Sequence, residues 1–210
     1  MEIQYYGGNC IKVTTKKAAI VIDDNLKDLG ASQIAKPTDI QLFTSRIIGA
    51  EPKAKLTIDG PGEYEVSNIS ISGVAVRAHV DEKDMLNATI YTIVADGVRI
   101  AVIGHVYPSL NENQLESIGV IDVLIVPVGG HGFTLDTVGA LKVIKQIEPK
   151  IIIPTQYAVK GLDYQVPAIS LDDAIKGLIM EPKETVSKLK IKATDLLGEQ
   201  AQLIVLEPQK

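Results

Sequence analysis

Cys10 is the only cysteine among 210 residues. One thiol cannot close an internal disulfide, and neither a zinc ribbon nor a Cys-x-x-Cys redox pair can be built from it. A reducing compartment, the cytoplasm, is therefore expected. Long apolar runs are also missing: residues 123–128 and 151–154 are far shorter than the ~20 residues of a spanning helix and read as buried strands. Residues 1–6 lack a basic region followed by an apolar core and a small-residue cleavage site, so no signal peptide and no membrane segment are expected. The formal net charge of −5, with 22% charged residues, gives no broad basic field, which argues against nucleic acid as a partner. The chain has no P-loop, no glycine-rich dinucleotide turn, no Gly-x-Ser-x-Gly elbow and no His-Glu-x-x-His helix.

The 46% apolar content over this length suits one domain, residues 1–210, with a substantial core. The first half reads as strands. Short apolar or β-branched segments at 3–6, 10–15 and 18–23 are separated by Gly7-Gly8-Asn9 and Lys16-Lys17, and more follow at 39–43, 55–58, 69–78, 89–95 and 98–103. Ala95-Asp96-Gly97 predicts a hairpin turn, and Asp59-Gly60-Pro61-Gly62 a second turn. After residue 103 strands alternate with helices. Ser109 and Glu112 have capping-box spacing for a short helix ended by Gly119; residues 136–147 place Val138, Leu141, Ile144 and Ile147 at helical spacing; a third helix over 171–180 is capped by Ser170 with Asp173 three residues later. Residues 123–128, 151–154 and 202–206 complete an α/β pattern.

Three histidines, His79, His105 and His131, each follow an apolar strand, and strand ends are where layered α/β proteins gather their sites. An isolated histidine near a turn is most often solvated or hydrogen-bonded, so each also has an ordinary structural reading. Asp23 and Asp24, at the end of segment 18–23, are the nearest candidate carboxylates, with a loop or helix-cap role as the alternative. Cys10 sits in an apolar strand and reads as a buried small hydrophobe. Tyr64 and Tyr157 read as structural residues at strand ends.

The order of segments carries a resemblance. Tyr6-Gly7-Gly8-Asn9-Cys10 is followed by Val21-Ile22-Asp23, Asp39 to Thr44, Asp59-Gly60-Pro61-Gly62-Glu63-Tyr64, Ile103-Gly104-His105, Ile125-Val126-Pro127-Val128-Gly129-Gly130, Phe133-Thr134-Leu135-Asp136 and Pro149 through Tyr157. Together these resemble the metallo-β-lactamase superfamily, in its group of short lactonase-like hydrolases, over nearly the whole chain. The resemblance implies an α/β fold in the form of a four-layer αββα sandwich, with the site at one edge of its two sheets. It also implies where two metals would sit. Hydrolases of the family carry a His-x-His-x-Asp-His motif after the strand that here ends at Thr44, whereas this chain reads Ser45-Arg46-Ile47-Ile48-Gly49-Ala50. His79 matches the next family histidine, His105 stands where the family has a metal-bridging aspartate, and Gln156 replaces the final histidine. Asp23 matches the family aspartate near the site and Asp136 a helix-start residue. A two-metal site needs about five histidines plus carboxylates, more than the three histidines present.

These residues lead to a first expectation: a family member with a degenerate metal site that keeps the sandwich and binds a small molecule or protein partner, or a second copy of itself, with no cofactor. The alternative expectation is a mononuclear hydrolase holding one zinc through His79, His105 and His131, or two of them with Asp23, and leaving a position for water. A third is metal-free acid/base chemistry by His105 or His79 with a carboxylate. Arg46 or Lys53 could also fill the vacated space and bind a small anion.

Overall fold

The computed structural model describes residues 1–45, 53–54, 56–196, 198 and 200–209. The chain opens with a meander: β1 (Glu2–Gly7), β2 (Cys10–Thr14) and β3 (Ala19–Ile22) pair antiparallel in sequence order. β4 (Ile40–Leu42) and β5 (Leu56–Ile58) then add in parallel to β3. A second antiparallel run follows in β6 (Gly62–Val66), β7 (Ile69–Val76), β8 (Ala88–Ala95) and β9 (Val98–Val102). The rest alternates: α1 (Glu112–Ile118), β10 (Val123–Pro127), α2 (Thr137–Ile147), β11 (Ile151–Thr155), α3 (Leu171–Leu178), β12 (Pro182–Val186), β13 (Leu189–Lys190) and β14 (Gln202–Leu206). Two sheets result, one ordered β13-β1-β2-β3-β4-β5 and the other β12-β14-β11-β10-β9-β8-β7-β6.

Burial follows the strand period. In β1 every second residue is buried, Ile3 and Tyr5 among them, and Ile11, Val13, Ile20 and Ile22 of the next strands join the same core as Ile71, Ile90 and Ile100 of the larger sheet. Strands β10 and β11 are buried at every position, as expected of parallel strands covered on both faces. Helix α1 packs on β7 and β8, and α2 packs on β10 and α3, so these helices lie against the larger sheet. The outer face of the smaller sheet has a different cover. Cys10 and Val21, which point away from the main core, form a second cluster with Leu26, Leu29 and Ala35 from a 3-10 turn (Leu26–Leu29) and the loop after it. This is the sandwich expected from the sequence, with a thin outer layer on that side among the described residues.

Several local expectations change. The cap of α1 is Asn111, whose side chain accepts from Gln114 N at 2.9 Å while Gln114 Oε1 accepts from Asn111 N at 3.0 Å; Ser109 lies outside the helix. On α2 the buried stripe is Gly139, Ala140, Val143, Ile144 and Ile147, and Val138 is exposed. Asp136 caps that helix by accepting from Gly139 N at 2.7 Å. Strands β6, β12 and β13 were not read from the sequence because their residues are largely polar or half exposed. Among the described residues no helix is long and apolar enough to cross a membrane.

Candidate functional site

The ends of β3, β4, β7, β9, β10 and β11 and the β1–β2 turn carry the residues singled out above. At the end of β3 the chain turns sharply, with Asp23 at φ 50°. The Asp23 carboxylate is fully buried and accepts twice from Thr44, from its amide at 2.8 Å and its hydroxyl at 2.6 Å. Burial pushes its pKa up to about 7, against the opposing pull of those two bonds. Gly104, just after β9, closes on the same threonine. It has φ 63°, and a β-carbon there would lie 2.2 Å from Thr44 Oγ1, so neither the backbone angle nor the space admits another residue.

The adjacent His105 is 6% exposed. Its ring lies 4.5 Å from that of Phe133, and its pKa falls to about 4, driven first by burial, then by neighbouring His79, and partly offset by a hydrogen bond with the Phe133 backbone. Its Nδ1 is buried and has no partner. His79 meets His105 through the backbone, its amide donating to the His105 carbonyl at 2.8 Å, and its Nδ1 is 3.3 Å from the Val106 carbonyl. Thus the structure brings His79 and His105 side by side. His131 is exposed, on a turn after β10 with φ 55°.

Asp24 is a structural carboxylate. Its Oδ2 accepts from Ile34 N at 2.9 Å and Ala35 N at 2.8 Å, and its Oδ1 takes the Cys10 thiol at 3.9 Å. Burial pushes the Cys10 thiol well up, so it stays protonated and inert, as read from its strand. Tyr157 donates to the Leu206 carbonyl at 2.9 Å and Tyr64 to the Gly60 carbonyl at 3.1 Å, the structural duties expected of them. Arg46 lies outside the described residues. Lys53 is exposed; its amide donates to Gln41 Oε1 at 3.0 Å, and its charge helps hold the Asp24 pKa down against burial.

Sequence reasoning missed a set of neutral polar groups at the same edge. Gln156 follows β11 in the left-handed region (φ 59°), and its amide donates to the Gly8 carbonyl at 2.7 Å. A β-carbon on Gly8 would lie 3.5 Å from Asn25 Oδ1 and 3.6 Å from Gln156 Oε1, so both amides crowd one glycine. A β-carbon on Gly129 would likewise meet the side chains of Gln156 and Thr134, at 3.1 and 3.3 Å. Asn9 Oδ1 accepts from Thr155 Oγ1 at 2.8 Å. Asn9 Nδ2, Asn25 Oδ1 and Thr134 Oγ1 are all buried without a partner, as is His105 Nδ1. Buried polar atoms are nearly always paired with protein or ordered water, so these four atoms can each take a further hydrogen bond, as can Gln41 Nε2, Thr92 Oγ1 and Gln146 Oε1 elsewhere in the fold. Two signals are in the sequence: Gln156, which stands at the family's final histidine, and Gly8-Asn9, which belongs to a turn and to the family-like opening segment.

A metal fits this donor set poorly. Zinc takes four ligands drawn from thiolate, imidazole and carboxylate, yet here two imidazoles adjoin, both Asp23 oxygens are held by Thr44, and Asp24 is held by backbone amides. Among the described residues no group of three or more His, Cys, Asp or Glu is placed to hold a metal.

The family comparisons agree with the sandwich. A UPF0173 metal-dependent hydrolase of Pyrococcus furiosus is 31% identical over 193 residues, 88% of this chain and 74% of that protein. A UPF0173 protein of Pyrococcus abyssi is 26% identical over 183 residues, 77% of this chain and 85% of that one. Among solved structures, a Thermotoga maritima protein assigned to the Zn-dependent hydrolases of the metallo-β-lactamase superfamily superposes with a TM-score of 0.74 at 24% identity, over 98% of both chains. Igni18, a metallo hydrolase from Ignicoccus hospitalis, gives 0.63 at 16% identity, over 100% of this chain and 96% of its own. The family model for the beta-lactamase superfamily domain matches residues 2–156, and this chain belongs to the metallo-β-lactamase fold superfamily.

Proposed function

We propose that this protein is a superfamily member that has lost the two-metal centre and binds a small, uncharged polar ligand at the strand-end edge without metal-dependent hydrolysis. The observation that carries the reading is the cluster of buried, unpartnered atoms on Asn9, Asn25, Thr134 and His105 beside Gln156. Asn9 Nδ2 is a donor, Asn25 Oδ1 an acceptor, and the Thr134 hydroxyl serves as either. A neutral His105, with its pKa near 4, offers one nitrogen as donor or acceptor without adding charge. A ligand with both donors and acceptors, of the amide or polyol kind, satisfies such a set, whereas a bare anion or cation finds no opposite charge in it.

A second reading keeps one zinc at His79 and His105. It is supported by the metal-dependent hydrolase name of the Pyrococcus furiosus relative and by the adjacency of the two histidines. Elemental mass spectrometry on untagged protein, purified without chelator and again after zinc loading and desalting, separates the readings. The first expects no retained metal and no chelator-sensitive hydrolysis of phosphodiester, lactone or thioester substrates. About one zinc per chain, lost in His79→Ala, would replace it with the second.

A further inference from the structure

On the other side of the Gly7-Gly8 turn lies a cavity of about 710 Å³, within the ~300–1,000 Å³ range of small-molecule sites. Its walls come from two loops, residues 31–34 and 157–162, with Tyr6 of β1 and Leu171 at the start of α3. The Leu162 side chain packs against Gly7, where a β-carbon would come within 2.2 Å of Leu162 Cδ1. The Tyr164 hydroxyl accepts from Gly8 N at 3.3 Å and donates to the Tyr157 carbonyl at 2.9 Å.

Both loops are fixed in place. The buried Asp24 carboxylate holds the amides of Ile34 and Ala35, and Gln33 Nε2 donates to the Asp24 carbonyl at 3.2 Å. Across the opening, Asp163 N donates to the Leu29 carbonyl at 3.0 Å and Ala158 N to the Ile169 carbonyl at 2.8 Å, so each loop is tied to the protein at two or more points. A cavity between anchored walls costs little to fill, because the ordering entropy has already been spent on folding. The lining is mostly apolar: Leu26, Ala31, Ile34, Leu162 and Leu171 supply side chains without a polar atom. Among the described residues Lys160, exposed at the rim, is the single charged one on it, and no acidic side chain lines it.

We infer that this cavity is a binding site for a monoanionic amphiphile, an apolar chain or ring system seated between Leu26, Ile34 and Leu162 with its carboxylate at Lys160. Apolar walls favour the body through burial. A lone cation at the mouth favours one negative head group and rejects a cationic one. The site is independent of whether the strand-end edge holds a metal, since none of its lining residues is among His79, His105, His131 and Asp23.

The test uses the full-length protein and octanoate, with 1-octanol and octylamine as head-group controls, followed by two-dimensional amide NMR. Octanoate should bind saturably, shifting amides in 31–34 and 158–162, with 1-octanol several-fold weaker and octylamine weaker still. Lys160→Gln should bring octanoate down to the level of 1-octanol, and Ala158→Phe, which points new bulk into the cavity from an exposed wall position, should weaken both by at least tenfold at unchanged thermal midpoint. Absence of saturable shifts, shifts centred on other segments, or octylamine binding as well as octanoate would each overturn the inference. The wild-type map decides the matter even if a variant fails to fold.

Discussion

Thr44 grips the buried carboxylate of Asp23 at both oxygens, through its amide at 2.8 Å and its hydroxyl at 2.6 Å. The two bonds favour the ionised form, yet burial outweighs them and the pKa rises from 3.8 to about 7. Between these values the folded protein binds a proton that the unfolded chain releases. Stability contributed by this group is therefore lost as pH rises from ~4 to ~7, by about 4 kcal/mol for a shift of that size. Asp23→Asn keeps an acceptor for the Thr44 amide and removes the titration. Relative to the wild type, its urea midpoint should therefore climb with pH over that window; a profile parallel to the wild type's would show that Asp23 is ionised throughout.

His105 works in the opposite sense. Its folded pKa of about 4 lies below the ordinary 6.5, so the unfolded chain binds the extra proton between those values and stability rises with pH across the same interval, by about 3 kcal/mol. In the wild type the two slopes offset each other between pH ~4 and ~6.5. His105→Gln should expose the fall due to Asp23, and Asp23→Asn the rise due to His105. Denaturant titrations of both variants at half-unit pH steps check the pair, and two parallel profiles would refute it.

The sandwich was legible because its signals are local: short apolar segments separated by turns in β1 to β3, and continuous apolar runs in β10 and β11. The site was legible in part. His79 and His105 stood at successive strand ends and do adjoin, since β7 and β9 lead to a bridge between Ala78 and Val106. Nothing local distinguishes His131, whose turn leaves it in solvent. The unpartnered amides were hidden for a different reason. The burial of Asn9 depends on Thr155, 146 residues further along, and no window of sequence contains both.

Misreading the start of α1 shows the limits of a spacing rule. Ser109 and Glu112 have the capping-box interval, but so do Asn111 and Gln114, and Gln114 Nε2 also reaches the Ala75 carbonyl at 3.0 Å, which ties the helix start to β7. Asn111→Ala should cost about 1 kcal/mol. Ser109→Ala, at an exposed position outside the helix, should stay within about 0.5 kcal/mol. Equal losses in chemical denaturation would mean the cap is shared.

Gly104 and Thr44 should be energetically coupled. Gly104→Ala places a methyl group 2.2 Å from Thr44 Oγ1 at φ 63°, so backbone strain and overpacking add to about 3 kcal/mol. Thr44→Ala clears that space but removes one of the two bonds to Asp23. The double variant should therefore be less destabilised than the sum of the singles, by 1 kcal/mol or more in a double-mutant cycle. Additive losses would place the clash elsewhere.

Asp24 should prove more important to the loop over the smaller sheet than to the strand it follows. Its carboxylate takes two backbone amides, at Ile34 and Ala35, and lies under the Cys10 thiol, so Asp24→Ala leaves two amides without their acceptor and a gap in the cluster of Cys10, Val21, Leu26, Leu29 and Ala35. Hydrogen bonds to a charged group contribute about 1.5–3 kcal/mol each, and part of that returns when water reaches the freed amides, giving a net loss of about 3 kcal/mol. The loss should be local before it is global. Amide exchange at Ile34 and Ala35 should accelerate far more than exchange in β10 and β11, whose bonds lie in the fully buried sheet. If Asp24→Ala instead speeds exchange evenly across both sheets, the carboxylate supports the whole sandwich rather than the loop that walls the cavity.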